Sequence, residues 1–208
     1  MQSEQTRGGT RWKRFAVVMV PSVAATAAIG VALAQGALAA SFSVSGQQFK
    51  VSANKLEGTG FLQYGAYDVQ HGGKNIPIAV SSFKSASITG MCQSVVIPGI
   101  PLVGDVTMKL QAGGNGTAVE AKNLYIDLDN LNADAQFNNI NIGVAAGDST
   151  KGPGMKGGGE HADPGGFAQE ADSATLTGVK QTAWATSAGT FKLSGLSMHV
   201  LKGDQECY

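Results

Sequence analysis

Two cysteines, three histidines and a scatter of serines are the residues of this 208-residue chain whose chemistry could be covalent. Cys92 and Cys207, placed in an oxidising compartment, have a disulfide with each other as their default fate, which would tie the C-terminal tail to the segment around Cys92. A nucleophilic Cys92 would need a neighbouring base. The serines lack a G-x-S-x-G elbow. Ser52-x-x-Lys55 and Ser81-x-x-Lys84 stand in strand-like context without partner motifs. Gly147-Asp148-Ser149 follows an apolar strand but no D-x-x-H comes after it, so it reads as the start of a loop.

Among the histidines, His71 sits in a Gly-rich turn and His161 lies between Glu160 and Asp163 in a Gly-rich stretch. Glu160, His161 and Asp163 are possible ligands for a divalent ion, but loop flexibility favours their solvation. His199 lies between Met198 and Val200 on the last strand, on its polar parity. It is the choice for a general base, because a strand holds a side chain more rigidly than a loop does. Neither Ser197 nor Ser194 is supported as its partner, so a nucleophile would come from another strand. The expectation is a protein without metal or cofactor.

The elements that must position these residues are strands. Apolar residues alternate with polar ones at Val106, Met108 and Leu110, at Leu124, Ile126 and Leu128, and at Leu131, Ala133, Ala135 and Phe137. They do so again at Ile140, Ile142 and Val144, at Leu196, Met198 and Val200, and at Phe42 and Val44. A period of two suits half-buried antiparallel strands. Gly72 to Asn75, Gly113 to Gly116, Asp129-Asn130 and Asn138-Asn139 separate the runs. The fold expected is all-β, an antiparallel sandwich or open barrel of roughly eight to ten strands. Ser85 to Gly90 and Ser173 to Gly178 share the pattern SA[ST][IL]TGxxQ, which ends at Gln93 and Gln181. Two further matches in the same order suggest two similar meander halves.

Two stretches break the alternation. Residues 148–166 are Gly-rich and read as a mobile surface loop. Val95 to Val103 is apolar and holds Pro98 and Pro101, which argue against a central strand. It is either a buried crossover or an exposed lip in which Val96, Ile97, Ile100 and Leu102 touch lipid.

Charge places the chain. Arg7, Arg11, Lys13 and Arg14 include every Arg and precede an uncharged run from Phe15 to Leu33. Ala37-Leu38-Ala39 fits a cleavage site, so residues 1–40 read as an export signal cut after Ala39, or as an uncleaved anchor. Either way residues 41–208 lie outside the cytoplasm, secreted or held at the plasma membrane by residues 15–35. From Ala40 onward 11 Lys stand against 14 Asp and Glu, a net of −3. Without Arg or a basic face, that domain is no nucleic-acid binder.

The opening Arg11-Trp12-Lys13-Arg14-Phe15, the segments SASITGMCQ and SATLTG, and the closing FKLSGLSMHVLKGDQECY resemble an uncharacterised family of small exported actinobacterial envelope proteins. Some of its members are similar in size and layout to the small cholesterol esterase of streptomycetes. That resemblance implies hydrolysis of sterol or fatty esters and carries over no catalytic residue. Two classes of function are thus expected. One is an envelope protein that binds an apolar lipid or sterol ester at a membrane surface, and the other is a small secreted esterase. A structural coat or adhesion module is a third.

Overall fold

The computed structural model describes residues 45–157 and 160–208. The export segment and the Phe42–Val44 alternation lie outside the described residues. Nine strands follow in order: β1 (Phe49–Val69), β2 (Asn75–Thr89), β3 (Met91–Ile100), β4 (Gly104–Ala112), β5 (Val119–Asn138), β6 (Asn141–Ala145), β7 (His161–Ala162), β8 (Phe167–Lys192) and β9 (Ser197–Lys202). The chain is all-β, with antiparallel pairing throughout. Its one helical element among the described residues is a 3-10 turn at Ala146–Asp148.

The sheet runs β6-β8-β5-β2-β1-β3-β4-β9, and β8 also pairs with β1. That last pairing joins β1, β2, β5 and β8, the four longest strands, into a closed ring. A closed ring leaves these strands no free edge where the ladders run. Strands β3, β4 and β9 project from it as a three-stranded ribbon.

The repeated segments sit on either side of β1 in one register. Gly58 faces Ala86 of β2 and Ala174 of β8, Leu56 faces Ile88 and Leu176, and Thr59 faces Ser85 and Ser173. Both segments end on a glycine with positive φ, Gly90 at 62° and Gly178 at 61°. Only glycine adopts this backbone without strain. The phase of burial shifts across each glycine, between β2 and β3 at Gly90 and within β8 at Gly178, so that Ile88 and then Met91, or Leu176 and then Val179, are the buried residues. A second seam crosses all four ring strands. There burial passes from Gly58 to Phe61, from Ala86 to Phe83, from Ala121 to Leu124 and from Ala174 to Ala171.

The seams create two apolar clusters on opposite faces. Inside the ring lie Leu56, Phe61, Phe83, Ile126 and Leu176 among others. On the outer face Leu62, Tyr64, Ile78 and Val80 pack together with Ala146 and Met155. The Gly-rich stretch covers this outer face, which corrects its reading as a mobile surface loop. It is a strap. Its Gly152 is buried so close to the sheet that a Cβ there would stand 2.2 Å from Leu62 Cβ. The backbone N–H groups of Thr150 and Lys151 donate to Glu170 Oε2 at 2.8 and 2.9 Å, and Asn141 Nδ2 donates to Oε1 at 3.0 Å. Burial opposes ionisation of Glu170, yet these donors outweigh it and lower its pKa to about 2. The strap is therefore tied to a carboxylate that stays charged.

Two other readings change. Asp129-Asn130 does not separate strands but lies inside β5, at register shifts between Asp127 and Asn130. Val95 to Val103 is no buried crossover. It forms the end of β3 and the hairpin turn into β4, with Pro98 at a register shift between Ile97 and Ile100.

Candidate functional site

The ring encloses an apolar cavity of about 150 Å³. Phe61 is among its lining residues, with ring centroids 5.4 Å from Phe83 and 5.0 Å from Phe137. Its opening follows from the sheet. β2 accompanies β5 only from Val119 to Leu128, and beyond that point β5 pairs with β8 and β6 lies past its end. The inward residues of that outer half, Leu131, Ala133 and Phe137, are half-exposed and Ala135 is exposed, so the mouth is there. The cavity is not wholly apolar. Gln63 Nε2 donates to Ser81 Oγ at 2.6 Å, and Gln169 Nε2 donates to Gln63 Oε1 at 2.5 Å. Gln181, 6 % exposed, completes the polar lining.

Beneath the strap, on the opposite face, three carboxyl groups gather. Asp127 is fully buried and its Oδ2 accepts from Lys156 Nζ at 2.7 Å. Lys156 N–H donates to the Tyr64 hydroxyl at 2.9 Å. Burial, with the charge of Asp127 adding to it and Lys156 opposing, raises the Asp68 pKa to about 6. Burial likewise raises Glu160 to about 7 against the pull of Tyr64 and Lys156. Burial and the nearby Glu160 also raise Tyr64 and Tyr125. Glu160 thus belongs to this cluster rather than to a metal site with His161 and Asp163. His161 instead stacks on Tyr67, with ring centroids 4.7 Å apart.

The cysteines form the disulfide expected of them, Cys92–Cys207, with Cα atoms 5.9 Å apart. It lies among other bonds from the tail to the ribbon. Cys207 N–H donates to Ser94 Oγ at 3.0 Å, and Gln205 N–H donates to Thr107 Oγ1 at 2.9 Å. Lys50 pairs with Glu206.

His199 is exposed on β9, and Ser197 Oγ lies 2.9 Å from its Nε2. This corrects the dismissal of Ser197. Residues two apart on a strand share a face, and only immediate neighbours oppose each other. The alternation of β9 also does not mark the core, since Met198 and Val200 are exposed. They lie on one ribbon face with Met108, which is opposite Val200, and Leu110, which is opposite Met198. At the hairpin tip Leu102 is fully exposed with φ of 69°, while Val96, Ile97 and Ile100 are half-buried.

Sequence reasoning missed Gln63, Asp68, Asp127 and Lys156, none of which stands in a motif, and it met Ser81 only in the Ser81-x-x-Lys84 match, which says nothing of the cavity. Gln181 had a signal, since it closes the second repeated segment.

Residues 45–208 match the model of a Family of unknown function (DUF6230). No curated protein and no solved structure matches the chain.

Proposed function

We infer that this chain, which belongs to the DUF6230 family, is an extracytoplasmic barrel that takes part of an apolar lipid into its interior. The observation that carries this reading is the cavity around Phe61, Phe83 and Phe137, with its mouth at the outer half of β5. Its volume selects the ligand. An engineered apolar cavity of about 150 Å³ holds one benzene, and pockets that enclose drug-sized ligands run to about 300–1,000 Å³. A whole sterol does not fit inside, whereas one short branch of a lipid does. The exposed Leu102 and the open face of Met108, Met198 and Val200 support contact with a lipid surface. The disulfide is compatible with export, through a segment cleaved after Ala39 or kept as an anchor. The resemblance to exported actinobacterial envelope proteins supports the same location.

Ala135→Trp places a bulky ring at the mouth on an exposed position. It should weaken binding of benzene or hexane at least about tenfold, in calorimetric or NMR titrations of the full chain, while the melting temperature stays unchanged. Undiminished binding in this variant would remove the cavity from the reading.

The contact between Ser197 and His199 favours a second reading, an esterase of sterol or fatty esters. A Ser–His pair at 2.9 Å has the reach for general-base activation. Its exposure on β9 supplies neither a water-free site nor a substrate cleft. If the wild-type chain hydrolyses p-nitrophenyl butyrate, His199→Ala should abolish the reaction with little loss of stability. Full activity in that variant would exclude the pair, and an inactive wild type would leave only the binding reading.

A further inference from the structure

We propose that the cavity is specific for a neutral, oxygen-bearing lipid chain, and that Gln181 is the residue that reads the oxygen. This rests on the lipid-binding reading above and adds the chemistry of the ligand.

Gln181 lies on β8 opposite Val51 of β1 and Leu131 of β5. It is more than nine-tenths buried and lines the cavity. No hydrogen bond found among the described residues involves its carboxamide, and its polar atoms are not sealed off from the space of the cavity. The other polar liners are already engaged, since Gln63 and Ser81 bond to each other and Gln169 closes the chain. Polar groups buried in native proteins are nearly always bonded, so an unbonded carboxamide that still reaches the cavity keeps its hydrogen-bonding capacity for whatever enters. A carboxamide left free inside an apolar cavity is what a site prepared for a ligand's polar atom looks like.

The lining then defines that atom. It contains no charged side chain. A carboxylate or phosphate would enter without a counter-charge, which is far more costly than burying a neutral dipole. A hydroxyl, or the carbonyl of an ester, needs only one neutral donor or acceptor, and the carboxamide offers both. The rest of the ligand meets Phe61, Phe83 and Phe137, which suit a hydrocarbon. The class is therefore a neutral fatty alcohol or ester, of which the cavity encloses a segment about six carbons in size by comparison with benzene.

The test titrates the full chain with 1-hexanol, hexane and hexanoate at pH 8. The wild type should prefer 1-hexanol to hexanoate. Gln181→Met keeps the volume and removes the hydrogen bond. It should weaken 1-hexanol binding by about threefold to tenfold and leave hexane binding unchanged or tighter. Gln181→Leu serves as a second apolar variant should the first not fold. Equal losses for hexanol and hexane, or a wild type that binds hexanoate best, would overturn the proposal while the cavity reading stands. If hexane and hexanol bind the wild type equally, the amide is served by water, and the proposal again fails alone. Failure of every probe to bind would overturn both.

Discussion

Replacing Cys92 and Cys207 together by serine should destabilise the protein by about 4–5 kcal/mol, the largest change expected of any substitution considered. The two residues are 115 positions apart. In the chain-entropy description, opening so long a loop restores to the unfolded chain about 4.7 kcal/mol worth of freedom at 25 °C. The folded state changes less. Bonds from Cys207 N–H to Ser94 and from Gln205 N–H to Thr107, with the Lys50–Glu206 pair, hold the tail without the sulfurs. The loss should therefore appear in urea unfolding as a lower midpoint, with the NMR shifts of ring residues such as Phe61 and Val80 unmoved. A loss below about 1 kcal/mol would mean that the reduced, unfolded chain is already constrained.

Lys156→Met should cost about 3–5 kcal/mol, the usual result of breaking a buried ion pair by removing one partner. Asp127, with no exposed surface, would lose the ammonium that pairs with it while Asp68 and Glu160 remain close by. The cost should depend on pH, and its sign follows from the raised carboxyl groups. Asp68 and Glu160 titrate in the folded protein at about 6 and about 7, above their ordinary 3.8 and 4.5. Each favours the folded state fully below its ordinary value and loses that advantage as pH rises through the folded one. At pH 5 both are largely protonated. At pH 8 both are ionised and place two negative charges near Lys156. The variant should thus be penalised more at pH 8 than at pH 5, measured by chemical unfolding at both. A pH-independent penalty would show that the three carboxyl groups do not act on Lys156 together.

The class of fold was legible because alternation over β4, β5, β6 and β9 is regular, and the turns at Gly72 to Asn75 and Gly113 to Gly116 carry their own chemistry. The path of the sheet was not. Alternation says that a strand has two unlike faces and leaves open which of them is covered. Met198, Val200 and Ile142 keep the pattern of core residues and are exposed, because their strands lie beyond the ring. The seams were hidden for a related reason. A one-residue change of phase at Gly60, Asn123 or Gly178 looks like noise in a period-two count, yet it decides whether Leu62 and Asp127 face the cavity or the strap. The strap was misread because glycine signals either freedom or close approach, and composition alone does not separate the two. The cavity depends on where β2 stops accompanying β5, a property of pairing between strands far apart in the chain.

Strand β1 accepts two nearly interchangeable neighbours, which makes assembly a problem of order. Ser85 to Thr89 and Ser173 to Thr177 present the same small, hydroxylated face to the same five positions, Lys55 to Thr59, so either could dock on the wrong side. Distance along the chain resolves the choice. The segment on β2 reaches β1 by a tight turn, whereas that on β8 must close a loop of more than a hundred residues, from Thr59 to Ser173. Short closures are faster and lose less chain entropy. The β1–β2 hairpin should thus occupy one edge first and leave the other as the only vacancy when β8 arrives. A circular permutation that made β8 the nearer neighbour would reverse this sequence of events. It should produce a slow-folding fraction with the two segments exchanged, although every residue of the native structure is still present.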